Sequence, residues 1–161
     1  MLIAGIDVGL HGAIALLNGK RLLVSDMPTH ELIRGGKKKH ELDIHKLAQE
    51  LTAPITHCYV EKVNSMPGQG VSSVFSFGTS YGIVLGILAA YKIPYTLVPP
   101  MTWKKALNVP AAKDASRARA SQLLPQHAGI WSKVKHDGRA ESALIALYGW
   151  RQQNGVSQNA G

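Results

Sequence analysis

Residues 2–26 read LIAGIDVGLHGAIALLNGKRLLVSD, and this stretch decides the fold. Residues 2–7 (LIAGID) are apolar up to a terminal acid, the pattern of a buried strand that ends at Asp7. Residues 11–17 (HGAIALL) form a second apolar run. Asn18-Gly19 follows, and both residues tolerate the positive φ that a tight hairpin needs. Residues 20–26 (KRLLVSD) return as a third strand. Three antiparallel strands are therefore expected within the first 27 residues.

Moving outward, residues 28–41 are polar and contain Gly35-Gly36-Lys37-Lys38-Lys39, which reads as a mobile basic loop. Residues 43–52 (DIHKLAQELT) predict a short amphipathic helix with Ile44, Leu47 and Leu51 on one face. Residues 56–62 (THCYVEK) predict a fourth strand, and a Gly- and Ser-rich segment, 64–73, follows it. Residues 74–91 read as a helix in which Gly78, Gly82 and Gly86 recur every four residues. That spacing permits close packing on a sheet or on a twin subunit. Residues 94–98 (PYTLV) predict a fifth strand, ended by Pro99-Pro100, with a helical turn or two over 100–107. A basic helix is expected over 114–124 and a last helix over 139–152, apolar at Ala143, Leu144, Leu147 and Tyr148. Three antiparallel strands, then two strands joined through helices, imply an α/β fold: a five-stranded mixed sheet flanked by helices. The expected domain is 1–152, with 153–161 as a frayed tail.

The chain has 161 residues, enough for one domain with a real core. Its 18 Lys and Arg face 10 acids, a formal charge of +8, which points to a polyanionic partner such as nucleic acid. One cysteine, Cys58, rules out a disulfide framework within the chain; it sits in an apolar run as a buried thiol. The opening MLIAGIDVGL has no cationic lead and is broken by Asp7, so neither a signal peptide nor a membrane span is expected there. The later apolar stretch around Gly82 to Tyr91 is too short to span. These features lead us to expect a cytoplasmic protein with no membrane partner.

Four acids carry the chemistry. Asp7 and Glu61 each end an apolar run, where an unpartnered carboxylate is costly. Asp7 taken alone suits a turn cap, and Glu61 a surface alternation with Lys62. Asp137 and Glu141 are four apart and share a face if a helix begins near Asp137. Alone, that pair suits an N-cap and a first-turn acid. The joint set is the stronger argument: four of only ten acids fall where strand ends and a helix N-terminus can converge. Like charges so placed repel, so something positive must offset them. Clustered carboxylates suit hard divalent cations and two-metal phosphodiester hydrolysis, with Asp7 bridging, Glu61 on one ion, and Asp137 and Glu141 on the other. His136 is placed to orient a water or touch the phosphate, or is a turn histidine without a role.

GIDVGLHGAIAL at the start, YVEKV in the middle and HDGRAESALIAL near the end together resemble the RuvC-like Holliday junction resolvases, within the ribonuclease H-like nucleases. The phage and prophage branch is the nearest in pattern, through MPGQGVSSVFSFGTSYG, PPMTWKK and DGRAESALIA. The resemblance runs to about Trp150. It implies a ribonuclease H-like fold and a homodimer that uses Mg²⁺, with Mn²⁺ able to substitute. It also implies a crossover junction endodeoxyribonuclease that makes paired symmetric nicks in four-way DNA junctions. By position, Asp7, Glu61 and Glu141 fall on the family's carboxylates. Bacterial members carry the remaining acid or histidine three residues before the last acid. Here the gap to Asp137 is four, which leaves Asp137 and His136 both open. The family's wedge aromatic, three after the middle acid, is here Asn64, so that role is either absent or moved to Met66 or Phe75. Lys104 and Lys113 resemble the family's basic residues near the scissile phosphates, at a shorter spacing.

Cations expected to meet DNA are Lys37, Lys38, Lys39, Lys62, Lys105, Arg117, Lys133, Lys135 and Arg139, with Asn64 beside them. Any one of them alone also suits a solvated surface, and most such contacts read shape rather than base sequence. Trp103 reads as core rather than as a stacking platform. The dimer seam is expected along Phe75, Gly78, Tyr81, Gly82 and Leu85. Alternatives are a related nuclease for other branched DNA, a non-catalytic junction binder, and an actin-fold phosphotransferase suggested by GIDVGLHG. The last needs two lobes, more than 161 residues supply.

Overall fold

The structure, a computed structural model, describes residues 1–64, 68, 70–112 and 114–155. The expected mixed sheet is present. Strands β1 (Ile3–Asp7), β2 (Ala13–Asn18) and β3 (Arg21–Asp26) form an antiparallel meander. Asn18 pairs with Arg21, so the β2–β3 turn is Gly19-Lys20, one residue past the expected Asn18-Gly19, with φ of 62° at Gly19. After a ribbon, β4 (Thr29–Arg34) and β5 (Lys37–Leu42), come helix α1 (Ile44–Glu50) and strand β6 (His57–Glu61). Helix α2 (Val71–Ala90) leads to β7 (Tyr95–Val98) and α3 (Pro100–Ala106), and then to α4 (Ala115–Leu123) and α5 (Asp137–Gln153). Short 3₁₀ segments, Pro125–Trp131 and Val134–His136, join the last two helices. The sheet order is β3-β2-β1-β6-β7, with β6 parallel to both β1 and β7.

Side-chain alternation along the central strands builds two cores. Ala4, Ile6, Cys58 and Val60 point to the face covered by α1 and α2, where Leu47, Leu51, Val84 and Leu88 meet them. Ile3, Tyr59 and Val98 point to the opposite face, covered by Trp103, Ala120 and the α5 residues Ala143, Leu144 and Ala146. Gly5 lets α5 lie directly on β1, because a Cβ there would collide with the backbone of Ser142 and Ala146. Cys58 is fully buried, and loss of solvation pushes its thiol upward, so it stays unreactive.

Several expectations need correction. Residues 28–41 are no loop but a two-stranded ribbon. Gly35 and Gly36 take φ of 56° and 72°, which closes a tight turn, and Arg34–Glu41 and Lys38–Glu31 ion pairs cross it. Ile44 is 46% exposed; the buried apolar residue at that helix start is Leu42, just ahead of the Asp43 cap. Helix α2 begins at Val71, earlier than expected, and its 20 residues are long and apolar enough to cross a membrane by length and composition. In this fold Val84 and Leu88 are buried in the core beneath it, while most of the helix stays exposed. Its glycines do not serve that packing, since a Cβ at Gly78, Gly82 or Gly86 would meet nothing within 4 Å. The last helix is also longer than expected and includes Gln153, whose amide donates to the Tyr59 hydroxyl at 3.0 Å. Of the expected tail, residues 156–161 lie outside the described residues.

The β1–α5 contact yields a direct test. Gly5→Ala should destabilise the fold by about 3 kcal/mol or more, because backbone rather than a flexible side chain blocks the new methyl. Denaturant unfolding monitored by circular dichroism measures this. A loss below about 1 kcal/mol would mean that α5 does not sit this close.

Candidate active site

The register of two parallel strands sets the geometry. Ile6 lies opposite Val60, so Asp7 and Glu61 are the next residues at adjacent strand ends. Both alternate with residues of the α5 face, Ile3 and Gly5 in one strand and Tyr59 in the other, so they point to the same side of the sheet. Helix α5 starts at Asp137 and brings Glu141 over them from its second turn. Its entry is tight: a Cβ at Gly138 would run into the His11 carbonyl and lie 3.1 Å from Asp7 Oδ2. One oxygen from each of Asp7, Glu61 and Glu141 lies within 4.8 Å of the others.

Three acids so close need compensation, and two neighbouring helices supply it in adjacent residues. On α3, the indole of Trp103 donates to Glu61 Oε1 at 3.0 Å, and Lys104 Nζ lies 3.1 Å from Glu141 Oε1. The same ammonium sits 5.1 Å from the Trp103 ring centroid. On α4, the Ser116 hydroxyl donates to Glu141 Oε1 at 2.9 Å. Arg117 Nε donates to Asp137 Oδ1 at 2.9 Å, and its other end pairs with Asp114 at 2.8 Å. The offsetting charge that the sequence demanded is therefore Lys104 for the cluster and Arg117 for Asp137.

The electrostatics remain unfavourable to full ionisation. Burial, then Glu61 and then Glu141, push the Asp7 carboxyl up to about 8, against a smaller downward pull from Lys104. Burial also raises Glu61, with the Trp103 hydrogen bond working the other way. In the absence of a cation Asp7 thus keeps its proton at neutral pH. An all-oxygen, carboxylate-rich donor set of this size suits a hard divalent cation, whose charge would release that proton.

Asp137 does not join the three-acid group; it is half exposed and committed to Arg117. His136 is buried, and its Nδ1 accepts weakly from the Lys133 N–H at 3.4 Å. Burial, then Arg139, Lys135 and Lys133, hold it below the usual histidine range against an opposing pull from Asp26, and none of these charges comes from the trio. Arg139 is bound in a two-pronged pair with Asp26, both contacts at 2.6 Å, and also donates to the Ile130 carbonyl at 3.2 Å. It ties α5 to β3 and is not presented as a free cation. Arg117 is likewise engaged within the fold. Lys62, Asn64, Lys105, Lys133 and Lys135 are exposed, as are Lys37, Lys38 and Lys39 on the ribbon. Lys113 and Met66 lie outside the described residues. Sequence reasoning missed the Trp103 and Ser116 contacts. The adjacency Trp103-Lys104 directly after Pro99-Pro100 was visible, but nothing in it says that an indole N–H faces an acid.

No family model matches the chain. A 92-residue stretch, 56% of the chain, is 35% identical to the chloroplastic Holliday junction resolvase MOC1 of Chlamydomonas reinhardtii. That match spans only 10% of the length of the curated relative. Among solved structures, T. thermophilus RuvC in complex with a Holliday junction substrate superposes with a TM-score of 0.63, covering 97% of each chain at 16% identity. The fold is that of RuvC. A second T. thermophilus RuvC structure gives a TM-score of 0.59 at 20% identity, over 96% of this chain and 97% of that one. The yeast mitochondrial Holliday junction resolvase Ydc2 gives 0.51 at 14% identity, over 98% of this chain and 81% of that one. These likenesses concern the arrangement of sheet and helices.

Two measurements probe the cluster. Asp7 titrates near 3.8 when unfolded and near 8 when folded, so the folded state binds the extra proton and metal-free stability falls as pH rises between them. Asp7→Asn should therefore raise metal-free stability at pH 8, by on the order of 1–3 kcal/mol, with the gain vanishing below about pH 4. Thermal melts across pH in EDTA read this; a gain independent of pH would contradict the burial of a neutral Asp7. Trp103→Phe keeps an aromatic side chain, smaller than the indole, and deletes the Glu61 donor. It should weaken Mn²⁺ binding about tenfold by electron paramagnetic resonance titration. Unchanged Mn²⁺ affinity in a folded variant would show that the indole does not position Glu61.

Proposed function

We propose that this chain is a divalent-metal-dependent endonuclease that resolves four-way DNA junctions by paired symmetric nicks. The observation that carries the reading is the convergence of Asp7, Glu61 and Glu141 at one end of a sheet with the RuvC fold. The resolvase MOC1 match supports the substrate class, as does the order of the three sequence motifs. The same motifs favour the phage and prophage branch.

In this reading the three carboxylates hold Mg²⁺ or Mn²⁺, and Asp137 serves as an outer member once Arg117 releases it. Bound there, divalent cations supply an activated water and neutralise charge on the leaving 3′ oxygen. Asp7 gives up its proton as the site fills, so loading should strengthen with rising pH. Trp103 and Ser116 fix the Glu61 and Glu141 carboxylates in direction. Lys104 balances the cluster before loading and is placed to hold the phosphate afterwards. Lys62, Asn64, Lys105, Lys133 and Lys135, all exposed, would meet the DNA backbone.

Two nicks in opposing strands need two sites related by a two-fold axis. The outer face of α2 supplies a seam. Phe75 is 77% exposed, and Gly78 and Gly82 leave the backbone open to a second copy. Tyr81 and Leu85, half-buried against the sheet, would border it. Phe75, exposed, is also one of the two residues, with Met66, that would take the wedge role that Asn64 cannot fill.

The test is cleavage of a synthetic four-way junction in Mg²⁺, with linear duplex as control. We expect symmetric nicks in the junction only, and a loss of at least about a hundredfold for Asp7→Asn or Glu141→Gln. Equal cutting of duplex, flap and junction would favour the broader branched-DNA reading. Salt-sensitive junction binding with no cutting in Mg²⁺ or Mn²⁺ would favour a non-catalytic binder.

A further inference from the structure

The β4–β5 ribbon is the part of the molecule that the active-site chemistry leaves unexplained. It forms its own two-stranded sheet. Among the described residues, no side-chain hydrogen bond or ion pair joins residues 29–41 to the rest of the protein. Only its base is anchored, by buried Met27 and Leu42 and by the Met27 N–H donating to the Gly12 carbonyl at 2.9 Å. Such an isolated hairpin is marginal without a partner surface.

Its location follows from register. Asp7 pairs with Ala13, and Ala13 with Asp26, so β3 ends at the same edge of the sheet as the carboxylates. The ribbon begins at Thr29, after two connecting residues. Two interstrand spacings separate its root from Asp7, roughly 10 Å, and six residues per strand give it a reach of roughly 20 Å.

Its two faces differ. Arg34 pairs with Lys37, Leu32 with Lys39, and His30 with Glu41; alternation puts these six on one face, with three cations against a single acid. The other face carries Lys38 and Glu31, joined at 3.1 Å, together with Ile33, which is 75% exposed. On the first face Glu41 is taken by Arg34 at 3.0 Å, leaving Lys37 and Lys39 without an acidic partner among the described residues.

We propose that this ribbon is a clamp that lies along a duplex arm next to the cleavage site, with Lys37 and Lys39 on the phosphates and Lys38 turned away. The occupant is double-stranded DNA because the face is cationic, its cations are exposed, and it leaves the sheet at the catalytic end. A two-stranded ribbon also fits the roughly 12 Å width of a major groove. This rests on the nuclease reading for its substrate class, but binding tests it separately from cutting.

The experiment measures dissociation constants of the full chain for a four-way junction and a 20-base-pair duplex, in EDTA, across salt concentrations. The Lys37→Ala/Lys39→Ala variant should lose about 2 from the slope of log affinity against log salt, and bind roughly tenfold or more weakly at about 0.1 M salt. Lys38→Ala should change the slope by less than about 0.5. Lys20→Ala, at the opposite end of the sheet, should change nothing. Matching far-ultraviolet spectra and melting temperatures confirm folding. Wild-type slope in the double variant overturns the clamp, as does an equal loss in all three variants. A change seen only in self-association by sedimentation would assign the face to a second copy and also overturn it. Failure of junction nicking with the binding pattern intact would sink the resolvase reading and leave the clamp standing.

Discussion

The arrangement depends on holding three carboxylates within 4.8 Å when no cation separates them. Charge repulsion and lost solvation both oppose this, and the protein answers in two ways. It lets Asp7 keep its proton up to about pH 8, and it aims donors at the other two acids. Helix α3 supplies Trp103 to Glu61 and Lys104 to Glu141; helix α4 supplies Ser116 to Glu141. The site is thus assembled from two strand ends and three helices, and each contact also fixes where a helix sits.

That economy explains the close packing around the site. Gly5 and Gly138 let α5 approach β1 to backbone distance, and Arg139 ties the same helix to Asp26 at the end of β3. Without that proximity Glu141 would stand above the sheet rather than over Asp7. The edge that presents the acids also launches the basic ribbon. Cation-binding groups and polyanion-binding groups therefore project from one end of the sheet, while Asn18-Gly19 and Lys20 lie at the other.

Much of this was legible in the sequence. The first hairpin followed from the Asn18-Gly19 signal between apolar runs, one residue short of the actual turn. The meeting of Asp7 and Glu61 followed from acids at the ends of apolar strands, and that of Glu141 from its place at the start of the last helix. Asp137 was harder. Its spacing from Glu141 matches one helical turn, but spacing does not say which side of the helix a competing Arg117 approaches from. Arg139 looked like a free cation because its partner, Asp26, is distant in the chain. The ribbon was hidden by composition: its residues are nearly all polar, and only Gly35-Gly36 betrayed the turn. The role of Trp103 was invisible, since burial and a hydrogen bond to an acid leave the same trace in a sequence as burial alone.

The central claim is that these acids form one cation site, and anomalous diffraction from crystals soaked in Mn²⁺ tests it most directly. Anomalous density is expected within about 2.0–2.5 Å of carboxylate oxygens from Asp7, Glu61 and Glu141. A pocket without density at saturating Mn²⁺, with Lys104 still against Glu141, would contradict it.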